Sequence, residues 1–355
     1  MAWWPVSGSP ATTNPIPRTR SIDGCFRRAT PAAAAPAVPC VTLNSGHAMP
    51  VLGFGTGSST PPADLAATIA HAVRLGYRHL DTAAVYGTEG AVGAAVAEAV
   101  RCGAVASRGE LFVTTKLSMA DAHPPRVVAA LRESLSRLGL DYVDLFLIHW
   151  PVAIGKKDAA GELTWDDLSR GLVPFDMEGV WRGMEECHRL GLARAIGVSN
   201  FSAAKMSRLL ALAAVPPAVN QVEMNVGWRQ EKVREVCGEG GVVVAAYSPL
   251  GAHGAHWGSD AVMNSGVLHD VAAARCKTIA QVALRWLYEQ GVCMVARSFN
   301  EGRMKQNMDI FDWELSDQDK AMIAGVPQRR ACHGNYFVSP DGPYKSLHDL
   351  WDGEI

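Results

Sequence analysis

From Val41 onward, short apolar runs alternate with amphipathic segments. The apolar runs predict eight strands, at Leu52–Gly55, Tyr77–Asp81, Leu111–Thr115, Val143–Ile148, Ala193–Val198, Ala218–Val222, Val242–Tyr247 and Val292–Ala296. The amphipathic segments predict helices near residues 63–75, 89–102, 124–138, 178–190, 202–213, 229–237, 278–290 and 300–310. Strand–helix alternation favours right-handed βαβ units and a parallel sheet. Eight such units are typical of a (β/α)8 TIM barrel, an α/β fold of about 250 residues or more; a doubly wound open sheet is the alternative.

Two further patterns favour the barrel. The segment that begins at Val41 predicts an N-terminal β-hairpin that covers the bottom of the barrel. Polar residues also follow the strands, and in a barrel these strand ends converge on one face, whereas an open sheet would spread them along a line. These residues are Thr56, Asp81, Lys116, His149, Ser199, Asn200, Gln221, Glu223, Tyr247, Ser248, Arg297 and Ser298.

Residues 1–38 differ in composition from the rest of the chain. They are rich in Pro, Ala, Ser and Thr and carry four Arg against one Asp, without an apolar period. This composition indicates either a disordered tail or an organellar transit peptide, which would direct the protein to a plastid. We therefore divide the chain into a leader, residues 1–38, and one barrel domain, residues 39–355, and expect a cytoplasmic protein if the leader carries no targeting signal.

The overall charge of the chain is close to neutral. Lys plus Arg number 33 and Asp plus Glu number 35, a net charge of −2, which gives no general attraction to nucleic acid or anionic lipid. No apolar run approaches the roughly 18 residues of a membrane-spanning helix. The eight cysteines are scattered without a C-x-x-C pair, so we expect no metal site. A small molecule is the expected partner.

Four residues after three successive predicted strands suggest carbonyl chemistry: Asp81 and Tyr86 in DTAAVYG, Lys116 in TTKL and His149 in LIHWP. A Lys beside a phenol lowers the phenol pKa, and an Asp holds that Lys charged and oriented. Tyr86 could then act as a general acid while His149 orients a carbonyl oxygen. Each residue alone also fits a structural role, as a helix cap, a packing aromatic, a solvated Lys or a core His. Their order and spacing favour the joint interpretation.

The whole pattern resembles the aldo-keto reductases over about residues 41–355. The motifs LNSGHAMPVLGFGT, GYRHLDTAAVYGTE, LFVTTKL, DLFLIHWP, AIGVSNFS, PAVNQVEMN, AYSPLG and RSFNEGRMKQN stand in family order. The resemblance implies a (β/α)8 barrel that binds NADPH without a Rossmann domain. It also implies the catalytic tetrad Asp81, Tyr86, Lys116 and His149, with Tyr86 as the proton donor.

The resemblance also implies which residues contact the cofactor. Near the nicotinamide and its ribose these are Gly55, Thr56, Asp81, Ser199, Asn200, Gln221 and the stacking aromatic Tyr247. Ser248 and Leu250 are expected along the pyrophosphate. The 2′-phosphate is assigned to Arg297, Ser298, Phe299, Asn300, Arg303, Gln306 and Asn307, where a strand end meets a helix N-terminus. The family commonly has Lys at position 297, so the contacts of Arg297 are expected to differ; NADPH is favoured over NADH.

Substrate specificity is expected in three long loops, at about 151–178, 251–265 and 327–355. They contain the aromatic and imidazole side chains Trp165, Phe175, His253, His256, Trp257, Tyr336 and Phe337. Ser118 and Trp150 are predicted to line the substrate pocket. Ser118 and Gly57 stand where many relatives have Trp, which predicts a wider pocket and a bulkier or more polar ketone.

The predicted function is therefore NADPH-dependent reduction of a ketone or aldehyde, in a monomer as is common in the family. MNSGVLHDVAAARCKTIAQVALRWLYEQG, NMDIFDWELSDQD and GPYKSLHDLWDGEI resemble the plant branch that includes deoxymugineic acid synthase, chalcone reductase and codeinone reductase. The substrate is then a 3″-oxo acid derived from nicotianamine or, alternatively, a polyketide or alkaloid ketone. Two other classes remain open, a non-enzymatic NADPH-binding subunit and an aldolase or hydrolase with Lys116 as the nucleophile.

Overall fold

The fold is a closed barrel of eight parallel strands surrounded by helices, as the sequence predicts. A computed structural model describes residues 38–155, 171–255 and 257–355. The barrel strands are β3 (Leu52–Gly55), β4 (His79–Asp81), β5 (Phe112–Leu117), β6 (Val143–Ile148), β9 (Ala193–Ser199), β10 (Val219–Glu223), β11 (Val243–Tyr247) and β12 (Cys293–Ala296). They pair in this order, and β12 pairs with β3 to close the barrel.

Two small antiparallel pairs lie outside the barrel. β1 (Cys40–Thr42) and β2 (Ala48–Pro50) form the predicted N-terminal hairpin, in which Val41 pairs with Met49. Leu43 and Met49 pack with Phe112, Leu145 and other barrel residues in one apolar cluster, so the hairpin covers one end of the barrel. We call this end the base, and the end formed by the C-termini of the strands the mouth. β7 (Ala153–Ile154) and β8 (Leu172–Val173) pair at the mouth.

Eleven α-helices are present in the described part of the chain. They are α1 (Leu65–Leu75), α2 (Glu89–Arg101), α3 (Val127–Leu138), α4 (Met177–Arg189), α5 (Ala203–Leu212), α6 (Glu231–Glu239), α7 (Gly266–Arg275), α8 (Ile279–Glu289), α9 (Glu301–Met308), α10 (Asp317–Ala324) and α11 (Leu347–Trp351). Sequence reasoning did not predict α7, α10 or α11. Within the described residues, no helix is long and apolar enough to cross a membrane.

Local sequence explains the ends of many helices. Asp64, Asp176 and Ser202 cap α1, α4 and α5 by accepting a hydrogen bond from a backbone N–H of the first turn. Gly76 ends α1 with φ at 117°, in a left-handed conformation that disfavours side chains. The buried faces of α1 to α5 pack on the outside of the barrel, so the strands stay rigid and present their C-terminal residues at the mouth.

Candidate active site

A buried ion pair lies at the floor of the mouth. Lys116 Nζ is 2.6 Å from Asp81 Oδ1 and donates a second hydrogen bond to the Thr82 carbonyl at 2.9 Å. Gln221 Nε2 donates to the other carboxylate oxygen of Asp81 at 2.8 Å. Burial pushes the Lys116 pKa down, but the charges of Asp81 and Tyr86 and their hydrogen bonds outweigh it, so the pKa is raised. Lys116 is therefore a fixed ammonium ion and not a free amine.

Tyr86 and His149 stand beside this ion pair. Tyr86 Oη is 3.4 Å from His149 Nε2, and the two rings meet edge to face with centroids 5.4 Å apart. Lys116 Nζ lies 5.0 Å from the centroid of the Tyr86 ring. The hydroxyl and the imidazole therefore face the same point, where they could both contact one substrate oxygen.

The protonation states of both groups follow from their surroundings. Burial raises the Tyr86 pKa; Lys116 lowers it in part, so the net pKa stays above its ordinary value. Burial and the nearby Lys116 charge hold the His149 pKa well below its ordinary value. At neutral pH the site therefore holds Tyr86 as a protonated phenol and His149 as a neutral imidazole. The phenol can donate a hydrogen bond, and the uncharged imidazole can orient its acceptor.

A cavity of about 690 Å³ extends from Tyr86 and His149 across the mouth. Most of the predicted cofactor residues line it: Gly55, Asp81, Ser199, Asn200, Gln221, Tyr247, Ser248, Leu250, Arg297, Ser298, Phe299, Arg303, Gln306 and Asn307. Its volume is in the range of small-molecule sites.

Hydrogen bonds connect the polar wall of the cavity to the catalytic floor. Asn200 Nδ2 donates to the His149 carbonyl at 2.9 Å, and the Tyr247 hydroxyl donates to Asn200 Oδ1 at 2.7 Å. Ser199 Oγ donates to the Gln221 carbonyl at 2.7 Å. Because β9, β10 and β11 are neighbours, these side chains form one fixed polar face.

The far end of the cavity is basic. Arg297 Nη1 donates to Ser58 Oγ at 2.6 Å, and Arg303 lies in the first turn of α9. Asn300 accepts the Arg303 backbone N–H at 3.0 Å and so caps this helix. We call Arg297 and Arg303 the basic end. Two guanidinium groups beside a helix N-terminus suit a phosphate group.

Three residues predicted to contact cofactor or substrate do not line the cavity. The Thr56 hydroxyl is fully buried and donates to the Asp81 carbonyl. Ser118 caps a short 3-10 helix by accepting the Ala120 N–H. Asn300 is used as the cap of α9. Ser118 and Asn300 bind local backbone groups, and Thr56 binds a carbonyl of the neighbouring strand, which the strand pattern alone does not reveal. Lys116 also lies outside the lining, with Nζ 5.0 Å from the centroid of the Tyr86 ring.

The structure separates the two positions that were expected to widen the pocket, Gly57 and Ser118. A Cβ atom on Gly57 would lie 3.1 Å from the Tyr86 ring, so Tyr86 already occupies the space beside Gly57. Ser118 does not face the cavity, and its neighbour Met119 lines it instead. Gly57 itself lines the cavity, so the lack of a side chain there leaves space in the pocket, whereas Ser118 does not contribute to the lining.

The long loops supply much of the shape of the pocket. Trp150, His253, Trp257, Tyr336 and Phe337 line the cavity. Phe175 instead packs against Phe201, with ring centroids 6.4 Å apart. Trp165 and His256 lie outside the described residues. Sequence reasoning did not single out the other lining residues, some of which lie inside the quoted motifs and strands: Thr60, Val85, Met119, Pro249, Ala252, Met263, Thr278, Ile279, Ala280, Val295, Ala296, Cys332 and Gly334.

The described residues contain no group of three or more His, Cys, Asp or Glu placed to hold a metal ion.

The chain is similar to known proteins over most of its length. The profile of the Aldo/keto reductase family matches residues 51–327. The chain is 55% identical to deoxymugineic acid synthase 1 of Zea mays over 308 residues, which cover 86% of this chain and 97% of the relative. It is 48% identical to the 7-acetyl-epi-neemfruitin B aldo-keto reductase of Melia azedarach, over 90% of this chain and 98% of the relative.

Solved structures show the same architecture. The aldo-keto reductase of Bombyx mori in complex with NADP superposes with a TM-score of 0.73 and 37% identity, over 83% of this chain and 94% of that one. Another aldo-keto reductase, complexed with NADPH, gives a TM-score of 0.75 and 34% identity, over 87% and 92% of the two chains. With a family match over most of its length and an Asp–Lys–Tyr–His group at the barrel mouth, this chain belongs to the aldo-keto reductase family.

Proposed function

We propose that this protein reduces a ketone or aldehyde to the alcohol with NADPH, and that Tyr86 supplies the proton. The observation that carries this proposal is the position of the Tyr86 hydroxyl, 3.4 Å from His149 Nε2 at the wall of the cavity. A carbonyl oxygen placed between these two groups would be protonated by Tyr86 and oriented by His149.

The cavity wall fits NADPH, since it combines a flat aromatic, fixed amides and a basic end. Tyr247 offers a ring face, and the side chains of Asn200 and Gln221 are held by the hydrogen bonds described above. Arg297 and Arg303 would hold the 2′-phosphate, which NADH lacks. NADPH, when bound, supplies the hydride for the carbonyl carbon.

The chain's own residues manage the proton. Tyr86 transfers its phenolic proton to the carbonyl oxygen and becomes a phenolate. The nearby Lys116 ammonium stabilises that negative charge, and Asp81 keeps Lys116 charged and in place. Water from the open cavity then returns a proton to Tyr86.

The two other classes of function fit these contacts less well. An aldolase needs a neutral Lys to form a Schiff base, whereas the Lys116 pKa is raised beside Asp81. A pure NADPH-binding subunit does not require a buried ion pair behind a cavity-facing phenol.

For the substrate, we propose a 3″-oxo acid derived from nicotianamine, as in deoxymugineic acid synthase. The 55% identity to the maize enzyme supports this choice. The alternative is a ketone of plant specialised metabolism, such as a polyketide or alkaloid ketone, and the 48% identity to the Melia azedarach reductase favours it. Measuring kcat/KM for NADPH oxidation with both kinds of ketone separates the two.

The Tyr86→Phe variant tests the mechanism. We expect kcat to fall about 10³-fold, within the usual range for loss of a general acid, while NADPH still quenches tryptophan fluorescence. Tyr142→Phe is the matched control, because Tyr142 lies at the base, stacked under Arg108 and Arg194. Normal turnover in Tyr86→Phe would refute the assignment, and borohydride trapping of a substrate on Lys116 would favour the aldolase.

We also propose a cytoplasmic monomer. Size-exclusion chromatography with light scattering tests the oligomeric state, and fluorescent tagging at the C-terminus tests the location. A plastid signal would instead support a transit peptide in residues 1–38, of which residues 1–37 lie outside the described residues.

A further inference from the structure

Glu223 is a buried carboxylate that lies outside the cavity lining. It ends β10, directly opposite Tyr247 of β11, and is 1% exposed. Its carboxylate accepts the backbone N–H groups of Ala331, at 3.1 Å, and of Cys332, at 2.8 Å. These contacts join residues more than 100 positions apart in sequence, between a barrel strand and the C-terminal segment.

The segment held by Glu223 forms one wall of the substrate end of the cavity. Cys332, Gly334, Tyr336 and Phe337 all line the cavity, and we call residues 332–337 the C-terminal wall. The Phe337 ring packs on Trp150, next to His149, with centroids 4.8 Å apart. A shift of this wall would therefore change the space beside the catalytic His149 without moving a catalytic residue.

A second anchor of the wall, Arg330, directly precedes the residues that Glu223 binds. Arg330 is buried, stacks over Trp351 at 3.6 Å and over Trp228 at 4.8 Å, and donates to the Glu354 carbonyl. These contacts fix residues before the wall and after it. Trp351 Nε1 also donates to the His333 carbonyl inside the wall at 2.7 Å, whereas Glu223 binds the backbone where the wall begins.

Burial disfavours a charged carboxylate at this position. Burial raises the Glu223 pKa, and the Cys332 N–H, Arg330 and the Ala331 N–H offset that rise only in part. In Glu223→Gln the negative charge is lost and an NH2 group replaces one of the two oxygens that accept the Ala331 N–H, so the hydrogen bonds to this segment become weaker. The position of the wall is therefore sensitive to this one side chain.

We propose that Glu223 is a positioning residue that sets the location of the C-terminal wall and thereby selects bulky carbonyl substrates over small ones. The kinetic consequence rests on the proposed carbonyl reduction, whereas the anchoring of the wall does not. Glu223 contacts neither Tyr86 nor Lys116 in the hydrogen bonds described above, so the chemistry itself should not depend on it.

The kinetic test compares Glu223→Gln with Glu223→Asp and with a matched buried carboxylate. Asp319→Asn is the control, since Asp319 is also buried, accepts the Ser316 N–H and pairs with Arg275, away from the wall. For Glu223→Gln we expect KM to rise about tenfold for a bulky aromatic ketone, consistent with one lost charged hydrogen bond. For a small aldehyde we expect the kcat of Glu223→Gln to stay the same. Glu223→Asp keeps the negative charge, so its KM for the bulky ketone should lie between those of wild type and Glu223→Gln.

A second readout needs no turnover. Burial raises the pKa of the Cys332 thiol to about 12, which keeps it unreactive. If Glu223→Gln releases the wall, iodoacetamide should alkylate Cys332 about tenfold faster in mass-spectrometric time courses, as one lost charged hydrogen bond predicts. The buried Cys237 should keep its rate in the same samples.

The outcomes separate the two proposals. Faster Cys332 alkylation with a selective KM rise supports the positioning role. Unchanged alkylation and unchanged KM in Glu223→Gln overturn it, and so does an equal kcat loss for large and small carbonyls. If wild-type protein oxidises no NADPH with any carbonyl, the proposed function fails, while the alkylation rates still decide whether Glu223 anchors the wall.

Discussion

The mouth and the base of the barrel each contain a buried carboxylate paired with a cation, yet only one of them faces a reactive group. At the base, Asp144 binds Arg108 at 2.7 Å and Arg194 at 3.2 Å and accepts the Val113 N–H. Both guanidinium groups stack on Tyr142. At the mouth, Asp81 holds Lys116 beside the cavity-facing Tyr86. The same electrostatic device thus fixes the fold at one end and tunes a proton donor at the other.

Removing the charge of either carboxylate should separate the two roles by the largest effects, on stability for Asp144→Asn and on kcat for Asp81→Asn. Asp144→Asn leaves Arg108 and Arg194 without their common anion, so we expect a loss of about 3–5 kcal/mol in the free energy of unfolding. Activity of the folded fraction should persist. Asp81→Asn should instead lower kcat about 100-fold, as general acid catalysis weakens. Urea denaturation and NADPH oxidation measure the two effects, and an active, stable Asp81→Asn protein would contradict the comparison.

Acid should weaken the barrel through its buried imidazoles. Burial lowers the His79 pKa to about 4, although Asp81 opposes this, whereas an unfolded His titrates near 6.5. Stability is therefore complete above pH ~6.5 and is lost as the pH falls toward ~4, by about 3 kcal/mol. Urea denaturation across this range should show the loss. A His79→Asn variant that keeps the full acid sensitivity would assign the effect to other groups.

The basic end should discriminate between cofactors, whereas the arginines of the base should not. Arg297→Ala removes one charged phosphate contact, worth about 2 kcal/mol, so we expect NADPH to bind about thirtyfold more weakly. NADH affinity should change little, because NADH lacks the 2′-phosphate. Fluorescence titration measures both constants. Arg194→Ala is the control, and an equal loss for NADPH and NADH in Arg297→Ala would place the contact elsewhere.

The smallest effect on kcat/KM is expected for Ser118→Trp. The Ser118 side chain faces a backbone N–H and not the cavity, so kcat/KM of the folded enzyme should change less than about threefold for large and small carbonyls. Ser118 is buried, so the indole should instead lower the free energy of unfolding. Gly57→Ala sharpens this result, since its new methyl group would contact the Tyr86 ring and should lower kcat. A selective loss of large substrates in Ser118→Trp would restore the idea that this position shapes the pocket.

The sequence predicted the barrel well because its signals are local. Apolar runs marked all eight barrel strands, and polar residues at their ends marked the tetrad. α7 and α10 were missed because they pack on each other and on α8 outside the strand–helix repeat. The contact of Glu223 with Ala331 and Cys332 could not be predicted for a different reason. It joins distant segments, and neither partner has a local pattern that points to the other.

Some polar residues that were expected to contact a ligand form hydrogen bonds within the protein. Thr56, Ser118 and Asn300 are polar residues near strand ends, as expected of cofactor or substrate contacts. Each binds a backbone group instead, in a geometry that only the folded loop determines. Strand-end position therefore predicts proximity to the mouth better than it predicts contact with a ligand.

The seam between β12 and β3 has a consequence for the order of events during synthesis. Arg297, just after β12, reaches Ser58, which follows β3 and lies 239 residues earlier in the chain. Nearly the whole polypeptide must therefore be synthesised before the contact between Arg297 and Ser58 can form. Partly made chains therefore lack this contact, so the phosphate binding proposed for the basic end requires a nearly complete chain.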